Sequence, residues 1–167
     1  MLWFCRFCCV LLALFFSIGC AGQKEAPLPE PVGWVSDFAQ VFTSAQINYL
    51  DSLIRAHEAK TSNQTAVVTI NPDSATITSL EDFEKYSWRL FSEWGVGQQQ
   101  RNNGIGLIFS PALRYVRIET GPGLEGRLTD AEAQQIVDEL ILPCFKKQAY
   151  FEGVSKALEA IFRQTMN

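Results

Sequence analysis

Two short stretches of this sequence carry most of the side chains that could do chemistry. Arg101, Asn102 and Asn103 stand just ahead of a strand-like run that starts at Gly104, while Glu119, Thr120, Gly121, Glu125 and Asp130 close and follow another. Carboxylate, amide and hydroxyl oxygens are hard ligands, and calcium gathers about 6 to 8 of them, so a calcium or magnesium ion is what such a set suits. Glycines at 104, 121, 123 and 126 allow the two backbones to approach closely, and their carbonyls could complete the shell. Each residue also has a plainer role open to it. Asp130 can complement a helix dipole, Glu119 can pair with Arg117 along one strand face, and Asn102 and Asn103 are ordinary turn residues.

Other chemistries are excluded by what is missing or misplaced. The only histidine, His57, lies at helical spacing from Leu50 and Ile54, which makes it an edge of a packed face. One histidine builds neither a serine-hydrolase triad nor a histidine zinc site. Cys144 sits beside Pro143 in an apolar stretch and reads as a buried thiol, not a nucleophile. The segment Gly121-Pro122-Gly123-Leu124-Glu125-Gly126 matches G-x-G-x-x-G after a strand, but its context argues against a dinucleotide. The next helix starts near Asp130, Pro122 lacks a backbone donor, and Glu125 would repel a pyrophosphate.

Positioning these loops requires strands alternating with helices. Thr43-Ser44-Ala45-Gln46 is a capping box opening a helix with Ile47, Leu50, Leu53 and Ile54 on one face. Ala66 to Ile70 is a β-branched run stopped by Asn71-Pro72-Asp73. Ser79 caps a second helix that carries Leu80, Phe83, Leu90, Phe91 and Trp94 and ends at Gly95. Gly97 to Asn103 is a polar loop with no apolar residue to pull it inward, followed by a strand over 104–109, a turn at Pro111-Ala112, and a strand over 114–120. Thr129-Asp130-Ala131-Glu132 is another capping box, whose helix should stop at Pro143, and a last helix holds Phe151, Val154, Leu158, Ile161 and Phe162. The fold class is α/β: a three-layer α/β/α sandwich with a small mixed sheet, a parallel pair plus an antiparallel hairpin strand, flanked by helices. In that hairpin Gly104 and Thr120 share one edge of the sheet, which brings the two chemical stretches together.

The chain has 167 residues, 47% apolar, with 18 acidic and 14 basic side chains. That supports one domain and offers no cationic field for nucleic acid. Arg6 precedes the apolar run Phe7 to Phe16 and then the small residues Ser17, Gly19, Cys20, Ala21 and Gly22, the pattern of a secretory leader. A bilayer span needs about 20 apolar residues, more than this run offers. Ser17-Ile18-Gly19-Cys20 resembles a bacterial lipobox, with cleavage before Cys20 and a lipid on its sulfur; a cut near Ala21 that releases a soluble secreted protein is the alternative. Residues 1–22 are thus the leader, 23–33 a proline-rich tether holding the domain clear of the bilayer, and 34–167 the domain. Four of the five cysteines lie in the first twenty positions, so no internal disulfide framework can be drawn.

Val35-Ser36-Asp37-Phe38-Ala39, Trp94-Gly95-Val96-Gly97, Asn102-Asn103-Gly104 and the run from Arg117-Ile118-Glu119 through Gly121-x-Gly123-Leu124-Glu125-Gly126 to Thr129-Asp130-Ala131 occur in an order that resembles the TPM domain family. The E-x-G-x-G-L-E-G segment is the specific part. The resemblance implies an α/β/α sandwich, export and tethering to a membrane, divalent metal binding with calcium foremost, and an acid phosphatase activity attributed to some members. Carried over by position, it implies Asp37, Asn103, Glu119 and Asp130 as metal ligands. Asn102 stands where family members often have an aspartate, which removes one ligand charge.

Two functional classes follow. A binding module would hold calcium, or magnesium or another divalent cation, and present Trp34, Tyr115 and the QQQRNN loop to another protein of the bacterial envelope or periplasm. A metal-assisted phosphomonoesterase would use the cation to polarise a phosphoryl oxygen, with Glu119 or Asp37 as base and Arg101 or Arg117 steadying the transferred group. The open loops and the net charge of -4 favour the module.

Overall fold

The structure, a computed structural model, describes residues 27–71 and 77–166. The leader with Cys20, the first part of the tether and the turn expected at Pro72-Asp73 lie outside the described residues. In chain order the elements are β1 (Val35–Asp37), α1 (Ser44–Thr61), β2 (Gln64–Thr69), α2 (Leu80–Glu93), β3 (Gly104–Ser110) and β4 (Tyr115–Thr120). A 3-10 turn (Pro122–Leu124), α3 (Asp130–Ile136), a π-helical turn (Val137–Ile141), α4 (Leu142–Phe145) and α5 (Tyr150–Thr165) follow.

The sheet order is β1-β2-β3-β4, with the first three strands parallel and β4 antiparallel to β3. The expected parallel pair and hairpin are present, and β1 adds a third parallel strand at the far edge. Three residues are too few to display a period of two, which is why the segment carries no strand signal. Alternation along the strands sorts two cores. Val67, Ile105, Leu107 and Phe109 face the layer of α1, α3 and α5, and Ala66, Val68 and Ile108 face α2. Helices therefore cover both faces, which makes the three-layer sandwich.

The capping boxes at Thr43 and Thr129 form as expected, and Ser79 closes a third with Asp82. The helix expected to stop at Pro143 continues through it. Proline has no N–H and its ring crowds the carbonyl four residues back, so the chain widens into the π-helical turn, where Leu142 N donates to Val137 O. Helix then resumes through Phe145. At the other end of the domain, Leu28 packs on the α2 core and Pro29 O accepts from Trp94 Nε1 at 2.9 Å. The tether is thus bound to the fold before position 33, which shortens the free spacer. No helix among the described residues is long and apolar enough to cross a membrane.

The loop over 97–103 also departs from expectation, because hydrogen bonding draws it inward where no apolar residue does. Asn103 is buried; its Oδ1 accepts from Gln98 N at 2.8 Å and its Nδ2 donates to Ser62 O at 2.7 Å and Asn63 Oδ1 at 3.3 Å. Asn63 Nδ2 in turn donates to Thr165 O at 3.1 Å. The Thr165 hydroxyl donates to Ile161 O and lies 3.1 Å from His57 Nε2, so the network assigns the proton to Nε2 and leaves Nδ1 bare. His57 is stacked on Phe162 at 4.0 Å, deeper than the edge position its spacing suggested.

Burial, aided by the Lys60 charge, lowers the His57 pKa to about 4 from its ordinary 6.5. The unfolded chain then takes up the proton first, so stability is full above pH 6.5 and declines as pH falls through that window to about 4. The loss should reach on the order of 3 kcal/mol. Urea melts at pH 7 and near pH 4 should show this decline, and His57→Gln, which cannot titrate, should lack that part of it.

Candidate functional site

The hairpin brings the two chemical stretches together as its register dictates. Ile105 lies opposite Thr120 and Gly106 opposite Glu119, and one step further Gly121 N donates to Gly104 O at 2.9 Å. Beyond the strands, Gly123 N donates to Asn102 O at 3.0 Å. A Cβ on Gly121 would strike the Asn102 carbonyl and one on Gly123 the Arg101 carbonyl, so glycine is required at both places. The glycine segment forms the 3-10 turn, and α3 starts only at Asp130. Its G-x-G-x-x-G spacing therefore serves loop contact and not a helix N-terminus.

The four ligands implied by the family resemblance do not share one site. Asp37 pairs with Thr69 at the carboxyl end of the parallel strands, and Asn103 precedes Gly104, which pairs with Gln64 at their amino end. Five extended steps along β2 separate the two ends by about 16 Å. Asp37 is also fully engaged: Oδ1 accepts from Thr69 Oγ1 at 2.6 Å and Val41 N at 3.2 Å, and Oδ2 from Phe42 N at 2.8 Å. It closes the turn between β1 and α1. Asn103 spends its amide on the buried network already described. Glu119 and Asp130 remain at one end of the sheet, and these two fit a hard cation by chemistry. Among the described residues no three His, Cys, Asp or Glu side chains are grouped so as to hold a metal ion.

What surrounds Glu119 is a charge cluster at an open edge. Arg117 Nε donates to Glu119 Oε1 at 2.8 Å, and Arg117 Nη1 to Glu84 Oε1 on α2 at 2.9 Å. Glu119 is buried, and that burial raises its pKa above the ordinary 4.5; Arg117 opposes the rise, while Asp130 and Glu84 add to it. Two carboxylates thus share one guanidinium, with the Asp130 charge near enough to act on Glu119. Alongside runs a groove of about 570 Å³, bounded by α2 on one side and by α3 and the π-helical turn on the other, and lined by Glu84, Arg114, Arg117, Asp130 and Gln134 among others. Arg101 is exposed on the 98–101 turn and is not part of that lining. Tyr115 pairs with Ser110 at the opposite end of the hairpin and packs on Phe83, so it shares no surface with the QQQRNN loop.

Sequence reasoning missed Glu84. It follows Phe83 in the apolar stripe of α2 and lies one turn after Leu80, a spacing that puts it at the margin of the buried face. Because the Arg117 charge is the chief influence holding the Glu119 pKa down, Arg117→Gln should raise it further. A carboxyl-carbon NMR titration of Glu119 in both chains measures this; an unchanged midpoint would separate the two residues electrostatically.

Comparison with known proteins agrees with the fold. Residues 35–164 match the TPM domain. The N-terminal domain of a protein from P. gingivalis, solved by NMR, is 34% identical with a TM-score of 0.68, over 78% of this chain and 80% of that one. The N-terminal domain of cg2496 from Corynebacterium glutamicum is 17% identical with a TM-score of 0.59, over 85% and 89% of the two chains. The BA42 protein from Bizionia argentinensis is 16% identical with a TM-score of 0.63, over 77% and 83%. The last two likenesses bear on the fold alone. No match is found among curated proteins. Motif order, sheet topology and the match across nearly the whole described domain lead to one conclusion: this chain belongs to the TPM domain family.

Proposed function

We propose that this chain is a divalent-cation-binding module of the bacterial cell envelope, with calcium the best match, exported by its leader and anchored by a lipid on Cys20. The ion would be held by Glu119 and Asp130, with Glu84 adding to the negative potential, and would supply the positive charge that a single Arg117 leaves in deficit. Glu119 carries this reading. A buried carboxyl with two further carboxylates near it and one guanidinium against it is a group whose ionised form a cation stabilises. Neither Asp37 nor Asn103 takes part, since each is committed to backbone and side-chain partners elsewhere.

Calcium titration with thermal melting tests the proposal. Free calcium at roughly a hundred times its dissociation constant should stabilise the chain by about 3 kcal/mol, a shift of several degrees. Glu119→Gln and Asp130→Asn should each abolish the shift, whereas Asp37→Asn should lower the melting temperature and leave the calcium increment in place. No shift at millimolar calcium rejects the cation.

One observation favours a second reading, metal-assisted acid phosphatase activity. The raised pKa keeps Glu119 in reach of a general acid's role, and Arg117 beside it could steady a phosphoryl group. Hydrolysis of p-nitrophenyl phosphate below pH 6 should then fall at least about 100-fold in Glu119→Gln. Turnover that survives the substitution belongs to a contaminant.

A further inference from the structure

The two edges of the sheet are built differently. β1 is three residues long, follows Pro31 and Gly33, and so presents little backbone to pair with. β4 has six residues, Tyr115 to Thr120, rich in β-formers and free of proline, lysine and glycine. Its free edge has a definite phase. Gly121 N bonds Gly104 O, which puts the odd-numbered residues of β4 in the hydrogen-bonded pairs with β3. The bond from Ile70 N to Phe109 O agrees, since it shows the odd residues of β3 serving β2 instead. The N–H and C=O groups of Val116, Ile118 and Thr120 are accordingly turned outward, the first two residues lining the groove of about 570 Å³.

A second copy of the chain fits this edge in an antiparallel register that uses all three outward-facing residues of β4. With a two-fold axis at Ile118, Ile118 pairs with Ile118 and Val116 with Thr120 of the other copy, all through outward-facing backbone groups. On the opposite face of the strand, Arg117 then lies across from Glu119 of the second copy, and Glu119 from its Arg117, in non-hydrogen-bonded positions with Cα atoms about 4.5 Å apart. Shifting the axis to residue 117 would set Arg117 against Arg117, so charge selects the first register. The apolar side of the strand agrees, because Ile118 and Val116 belong to the core face. We infer that β4 is a homodimerisation edge, joining two copies into a continuous eight-stranded sheet about a two-fold axis at Ile118. This does not rest on the cation reading.

The test uses the full chain in detergent, in EDTA and again in calcium. Sedimentation equilibrium should show a monomer passing to a dimer as concentration rises toward roughly 1 mM. Residue-resolved amide exchange should show protection of Val116, Ile118 and Thr120 that disappears on dilution. Arg117→Glu and Glu119→Arg should each weaken self-association at least about tenfold, because each confronts like charges, and mixing the two variants should restore a dimer in which every cross-strand pair is opposite in sign. If either variant fails to fold, the wild-type exchange still decides. A monomer at all concentrations overturns the inference, and so does a dimer in which those three amides stay unprotected. Dimerisation that persists in EDTA stands even if calcium proves to have no site.

Discussion

Strand β3 is buried at all seven of its positions, and the rest of the molecule is registered on it. A strand with no face or edge in water must satisfy its backbone on both sides and its side chains on both faces. β2 takes one side in parallel and β4 the other in antiparallel sense, while α2 and the α1-α3-α5 layer take the faces. Gly106 shows this crowding between the layers: a Cβ there would come 2.8 Å from the Phe91 ring. Once β3 is placed, the positions of Glu119, Asp130 and the glycine loop follow from the hairpin register, and so does the phase of the outer edge of β4.

A second constraint acts at the amino end of β3. Asn103, Asn63 and Thr165 join three distant segments by hydrogen bonds in a site closed to water, with His57 at its end. A buried polar network of this kind is stable only when nearly every group is partnered. The bare His57 Nδ1 is the exception, and it makes this end of the molecule acid-sensitive. The network also explains why the 97–103 loop holds still enough for its carbonyls to meet Gly121 and Gly123. Structure and site are therefore not separable here, since the asparagine that resembles a ligand is the one that fixes the loop.

The charge cluster at β4 has the opposite character. Arg117 and Glu84 are partly exposed, and exposed pairs contribute little to stability, about 0–1 kcal/mol. Glu119 is different because its side chain is only 8% exposed, so its ionised form depends on whatever cation stands beside it. Arg117 is the one the fold provides. A metal ion or a second copy of the chain would each bring further positive charge to the same carboxylate, by different means and with separable consequences.

Much of this was legible from residue order. The capping boxes at Thr43 and Thr129, the helix stop at Gly95, the hairpin and the meeting of its two loops all rest on contacts a few residues apart or on a period of two, which a linear pattern records. Strand β1, the π-helical passage at Pro143, the inward pull on Asn103 and the separation of Asp37 from Glu119 were not. The π-helical passage is a local response to proline, but the other three depend on a partner remote in the chain: Val67 for β1, Ser62 and Asn63 for Asn103, Thr69 for Asp37. The amino-acid sequence by itself determined which side chains bear oxygen and which loops carry them. Only the tertiary structure decided which of those oxygens are already spent on the protein's own hydrogen bonds, because that is settled by the segments that pack beside them and not by spacing.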